Sequence, residues 1–412
     1  MRLLFILVLS AGLGVRLYLS GRQLRAARAH RELVPAPFAA LIDVRAQRKA
    51  ADYTIARIRL GSLETLLDAL WVLWLTLGGG IAAIDAGWRL TGWPQLWSGA
   101  ATVASVLFLG ALVSLPFSLW STFRIEAAFG FNRTTPLTFL TDRLKGLLLA
   151  IALGAPLLLG VLWLMQYAGR AWWLLAWLAW LGFSTLLMWA WPAFIAPLFN
   201  RFAPLDDAAL RGRIEALLER CRFASRGVFV VDGSRRSAHG NAYFTGLGRN
   251  KRIVFFDTLL QTLEPTEIEA VLAHELGHFR LRHTLQRLLV SALSALVTLA
   301  LLAWLGRRPW FYAGLGVPTP SAHTALLLFL LVTPAFTYFA TPLGAWWSRV
   351  HEFAADRFAA QHADAAALAA ALIKLYRDNA SLLTPDKLHS AFYDSHPPAL
   401  TRIAVLRALE QS

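Results

Sequence analysis

Cysteine is nearly absent: Cys221 is the single one in 412 residues. No intrachain disulfide can form, and no cysteine-based metal centre either. A metal, if used, falls to histidine and carboxylate. Charge is scarce as well, at 16% of residues against 57% hydrophobic. That balance excludes the two or three soluble domains that the length alone would allow. Acidic residues are scarcer than basic ones, 25 against 40, for a net charge of +15. Such an excess suits nucleic acid or the positive-inside bias of a membrane protein. The basic residues cluster in loops beside apolar runs, so the partner expected is the lipid bilayer and not nucleic acid.

What is abundant is apolar sequence, with 17 tryptophans. Windows long enough to cross a bilayer recur at 3–20, 66–88, 99–120, 145–167, 172–195, 286–306 and 323–346. The first resembles a secretory signal, but Arg22, Arg25, Arg28 and Arg31 follow it and resist translocation. It reads as a retained span with its N-terminus outside. Seven spans put the basic sections 21–61, 121–144 and 196–285 and the tail from 347 on one side, the cytoplasmic one. Asp68 and Asp85 either face protein and water or lie near the ends of their span.

The chain divides into a membrane region with five spans (1–199, including the loop 121–144), a catalytic region (200–285), spans six and seven (286–346) and a C-terminal part (347–412). The two polar parts are small, and each needs the other to bury a core. Residues 206–223 have helical periodicity, 227–233 reads as a buried strand, and 252–260 as a second strand running into a turn. GLGRN at 246–250 supplies turn chemistry between NAYF and RIVFF, which together read as a hairpin.

Chemistry concentrates in VLAHELGHFRLRH, 271–283. On a helix over 264–283, with Pro265 at its first position, His274 and His278 share one face, a turn apart. Two imidazoles so placed can bind one zinc ion at about 2.0–2.1 Å. Glu275 lies next to that face and can act as general base. Gly277 leaves room for another backbone or for substrate. The alternative is an exposed helix with two surface histidines.

A catalytic zinc needs a third protein ligand and an open fourth position. In SRVHEFAADRF, 348–358, Glu352 and Asp356 are four apart and share a helical face. Glu352 is the candidate third ligand, and Asp356 the acceptor that orients a ligand histidine. A salt-bridged juxtamembrane helix with Arg349 and Arg357 is equally compatible with this spacing. His351 and His283 are weaker candidate ligands: adjacent helical residues diverge, and His283 lies five past His278. In YDSHPPALTRI, 393–403, two prolines keep His396 out of a helix, free to face a developing oxyanion. Arg402 either binds a substrate carboxylate or makes a structural ion pair.

Taken together these segments resemble the Ste24-type CAAX prenyl protease family, integral-membrane zinc metallopeptidases of the M48 class. LPFSLWSTFRIEAAFGFNRTT (115–135), APLFNRFAPLDD (196–207), DGSRRSAHGNAYFTGLGRNKRIVFFDTLL (232–260), VLAHELGHF, SRVHEFAAD and SHPPALTRI stand in the family's order. The resemblance implies a mainly α fold: seven helices around an intramembrane chamber, capped by a small α+β protease domain. It implies one zinc on His274, His278 and Glu352, with Glu275 as base, Asp356 supporting the ligands and His396 beside the substrate. It also makes Asn241, Ala242 and Tyr243 an edge strand that pairs with an extended peptide.

The activity expected is therefore peptide hydrolysis by a zinc metalloendopeptidase in a membrane. Its substrate would be a peptide or protein, prenylated or membrane-anchored. The Ala/Arg-rich, compact chain looks bacterial, which suggests the cytoplasmic membrane and raises a second reading: quality control of membrane proteins without a lipid requirement. A seven-span transporter or scaffold is the remaining alternative, and it leaves the polar motifs unexplained. The sequence sets no oligomeric state.

Overall fold

The computed structural model describes residues 1–225, 227–245 and 252–410. The protein is 77% helical, with one small sheet. Among the described residues six helices are long and apolar enough to cross a membrane: Arg2–Ala29, Gln95–Glu126, Pro136–Tyr167, Gly169–Phe199, His283–Leu305 and Ala322–His362. A bent pair, Val44–Leu75 and Gly80–Arg89, brings the number to seven when taken as one span. The apolar window 66–88 is thus not one straight helix. It breaks by 51°, where Thr76 turns its hydroxyl back onto the Val72 carbonyl and Gly79 takes φ +79°. A side chain is disfavoured at that left-handed position, so glycine is what permits the break.

Among the described residues two large cores and one small cluster, around Tyr53, Ile125 and Phe131, divide the molecule. One large core draws on the ends of the spans away from the sheet: Phe5, Leu75, Ile81, Val103, Trp172, Leu302 and Leu328 pack together. These residues come from alternate ends of successive helices, so the chain crosses up and down. The other core lies at the opposite end. It joins Leu210, Ile214, Phe255 and Leu272 to Leu368, Leu372, Ile403 and Leu406. The regions 200–285 and 347–412 therefore share one hydrophobic interior, together with Phe38 and Ile42 from the loop after the first span.

The sheet has order β1-β2-β4-β3: β1 (Phe202–Pro204), β2 (Val228–Val231), β3 (Ala242–Thr245) and β4 (Arg252–Phe256). β2 and β4 run parallel, and β3 returns antiparallel with Ala242 opposite Phe255. The turn expected at 246–250 lies outside the described residues. After β4 the chain enters a helix, Asp257–Thr262, where the sequence suggested only a turn.

The helix bearing HELGH, expected over 264–283, ends earlier and does not run on into the sixth span. It spans Pro265–Arg280, and a new helix starts at His283 after Arg282 adopts φ 59°. That conformation costs a non-glycine residue about 1–2 kcal/mol, and the site described next shows what it positions.

Candidate active site

The HELGH helix is well specified at its start. Pro265 needs no N–H there, Glu264 and Glu267 cap each other's backbone, and Lys374 holds Glu267 at 2.8 Å. Its face packs on the helix Thr341–His362. At the crossing, a Cβ on Gly277 would lie 3.1 Å from the Ala355 Cα. The missing side chain thus admits another backbone. That close approach brings Glu352, one turn before Ala355, against the two histidines.

One ligand atom from each of His274, His278 and Glu352 falls within 4.8 Å of the others. His278 Nε2 is 3.2 Å from His274 Nε2 and 3.2 Å from Glu352 Oε1, and His274 Nε2 is 3.5 Å from Glu352 Oε2. Two imidazole nitrogens and one carboxylate, convergent and mostly buried, form the donor set that suits zinc. The outer nitrogens are occupied, as ligand orientation requires. His274 Nδ1 donates to Asp356 Oδ1 at 2.8 Å, which leaves Nε2 its lone pair. His278 Nδ1 lies 2.9 Å from His283 Nδ1.

His283 is a residue whose spacing hid its place. Five residues along a continuous helix would carry it well off the ligand face. The break at Arg282 swings it back beside His278. His351, the other weaker candidate ligand, stacks flat on His283 at 3.9 Å between ring centres and stays outside the ligand cluster.

Arg402 is 5% exposed and grips Asp356 with two parallel bonds of 2.8 and 2.7 Å. Burial opposes its charge, but the hydrogen bonds and charge of Asp356 outweigh this and raise its pKa. Its fork is thus engaged as an ion pair, and it is not free to meet a substrate carboxylate as one alternative had it. His396 Nδ1 lies 2.8 Å from Glu352 Oε2, with a side chain 65% exposed, at the open side of the cluster. Glu275, between the two histidines on the same helix, is half-buried, and among the described residues its carboxylate has no ion-pair partner.

Asn241, Ala242 and Tyr243 lie at the start of β3, whose backbone touches the HELGH helix. Among the described residues β3 pairs only with β4, so its other edge is unpaired. The segment before it is held by the loop after the third span. Asn132 bridges to Ser237, Ala238 N–H donates to the Phe131 carbonyl, and Arg236 forks onto Asp142 at 2.8 and 3.0 Å. His239 stacks on Phe131 at 4.4 Å and meets Asn379 at 3.0 Å. The motifs FGFNRTT and SAHGN hinted at this pairing only by being conspicuous and polar.

The chain is similar to known proteins over most of its length. Residues 23–201 match the family described as CAAX prenyl protease N-terminal, five membrane helices. Residues 204–410 match Peptidase family M48. The chain is 36% identical over 305 residues to CAAX prenyl protease 1 homolog of Arabidopsis thaliana, covering 74% of this chain and 72% of that one. With the Homo sapiens homolog it shares 31% over 427 residues, covering 92% and 89%. The crystal structure of S. mikatae Ste24p superposes with a TM-score of 0.91 at 29% identity, covering 98% of each chain.

Proposed function

Since this chain belongs to the M48 peptidases, as a membrane metalloendopeptidase of the CAAX prenyl protease 1 type, we propose that His274, His278 and Glu352 hold one zinc ion and Glu275 is the general base. The observation that carries this is the convergence of three possible ligand atoms within 4.8 Å, two of them on the helix that carries Glu275 between its histidines. A bound zinc supplies Lewis acidity, which eases deprotonation of a water and polarises the scissile carbonyl.

The chain's own residues do the rest. Asp356, itself gripped by Arg402, holds His274 in the tautomer whose Nε2 is a free donor. Glu275 takes the proton of the attacking water on its carboxylate and passes it to the leaving amine nitrogen. His396, at the open side of the cluster, donates to the oxyanion as it develops. The unpaired edge of β3, from Asn241 to Tyr243, adds the substrate backbone as a further strand and so holds the scissile bond across the site.

The substrate reading follows the relatives, whose names make them CAAX prenyl proteases. A prenylated or membrane-anchored peptide suits a site that lies where spans six and seven leave the membrane. The clustering of Arg and Lys at that end supports a cytoplasmic active site, in a bacterial cytoplasmic membrane on the compositional reading. A quality-control role without a lipid requirement is the competing reading. Cleavage of a farnesylated peptide against its unmodified twin separates them, since equal rates remove the need for a lipid.

The mechanism is tested by Glu275→Gln. Peptide cleavage should fall about 10²–10⁴-fold while the metal content and fold persist. Full activity in that variant would end the assignment.

A further inference from the structure

His396 sits in a loop, whereas the three proposed ligands lie on long helices. The loop follows a short helix, Lys387–Tyr393. Seven residues of helix are not stable alone in water, so its position must come from contacts. The structure supplies them at both ends.

At the start, Asp386 caps the helix by accepting the backbone N–H of Leu388 and of His389, at 3.1 and 2.9 Å. The same carboxylate is forked by Arg22, at the inner end of the first span and 364 residues away, through Nε at 3.0 Å and Nη2 at 2.9 Å. The neighbouring Gln23, 6% exposed, accepts the Asp386 backbone N–H at 2.7 Å. At the far end Arg349 donates to the carbonyls of Ser390, Ala391 and Asp394, where a cation suits the negative helix terminus. The Tyr393 hydroxyl meets that of Tyr338 at 2.6 Å.

From these contacts we infer that Arg22 and Gln23 are positioning residues for His396: the first span holds the loop that presents the imidazole to the site. The inference rests on the proposed role of His396. Span one contributes no ligand, yet its inner end fixes the register of the helix leading to His396. A guanidinium fork is needed to grip one carboxylate at two points, and lysine meets it only as a point charge.

The experiment uses the full-length protein in detergent or nanodiscs, with peptide-cleavage kinetics, metal analysis and hydrogen exchange on Arg22→Ala, Arg22→Lys, His396→Ala and Arg22→Ala/His396→Ala. For Arg22→Ala, kcat should fall about tenfold with KM within about twofold, since misplacing a group costs this much or more. Exchange should rise across 386–398, metal content should stay at wild type, and Arg22→Lys should recover part of the loss. The double variant should be no slower than His396→Ala. Unchanged exchange across 386–398 overturns the inference, and so does an equal further loss in the His396→Ala background. Should His396→Ala itself be fully active, the oxyanion role fails, and the exchange result alone then decides the tether.

Discussion

Two buried clusters in this protein use the same three residue types. At the end of the membrane region away from the sheet, His323 Nε2 lies 2.7 Å from Asp85, and Arg89 holds the same carboxylate at 2.6 Å. In the catalytic region, His274 Nδ1 lies 2.8 Å from Asp356, which Arg402 holds at 2.7 Å. Both histidines and both aspartates are 5% exposed or less. The difference lies in the second nitrogen. His323 Nδ1 has no hydrogen-bond partner among the described residues, and a Cβ on Gly99 would come within 2.5 Å of it. His274 Nε2 instead faces His278 and Glu352. An Asp–His–Arg set walled in by backbone joins spans, while the same set with a convergent free nitrogen is fit to bind a metal.

The strongest challenge to this contrast removes the histidine itself. His274→Ala should abolish stoichiometric zinc and, with it, peptide cleavage, measured by metal analysis and a cleavage assay. Retained zinc would mean that the cluster is not the ligand set. Next in size, Asp356→Asn keeps the shape but weakens the acceptor. Zinc affinity should drop about 10–100-fold in competition with a chromophoric chelator. An unchanged affinity would reduce Asp356 to a purely structural partner of Arg402. The smallest effect belongs to the His323 cluster. Asp85→Ala should leave zinc affinity and kcat within about twofold of wild type and lower thermal stability, because the buried His323 Nε2 keeps Ser321 Oγ at 3.1 Å but loses its charged partner, a hydrogen bond worth about 1.5–3 kcal/mol. A loss of zinc there would show that the two clusters communicate and break the contrast.

Asp85 also shows how far span-level reading reaches. Its apolar window permitted a residue near a span end or one facing protein. Its pairing with His323, 238 positions away, makes it protein-facing at an end. Asp68, in the same apolar window, is exposed at the rim of a cavity of about 290 Å³ that Arg16 also lines. The two residues look alike in sequence, and only their neighbours distinguish them.

Local rules made much of this protein legible. Apolar length revealed the spans, because a bilayer demands a minimum run whatever the neighbours. The helical period put His274 and His278 on one face, and Pro265 with Glu267 marked where that helix begins. The four-residue spacing of Glu352 and Asp356 gave them a common face, without saying what the face meets. What the chain alone left open were the meetings between distant segments. Contact of Gly277 with Ala355 brings the Glu352 carboxylate to the histidines, and Arg402 is claimed by Asp356. The left-handed turn at Arg282 puts His283 beside His278 against the helical period, and Arg22 reaches Asp386 across 364 residues. Such contacts depend on how whole helices cross. That is set by packing summed over many side chains, which no short stretch of sequence encodes.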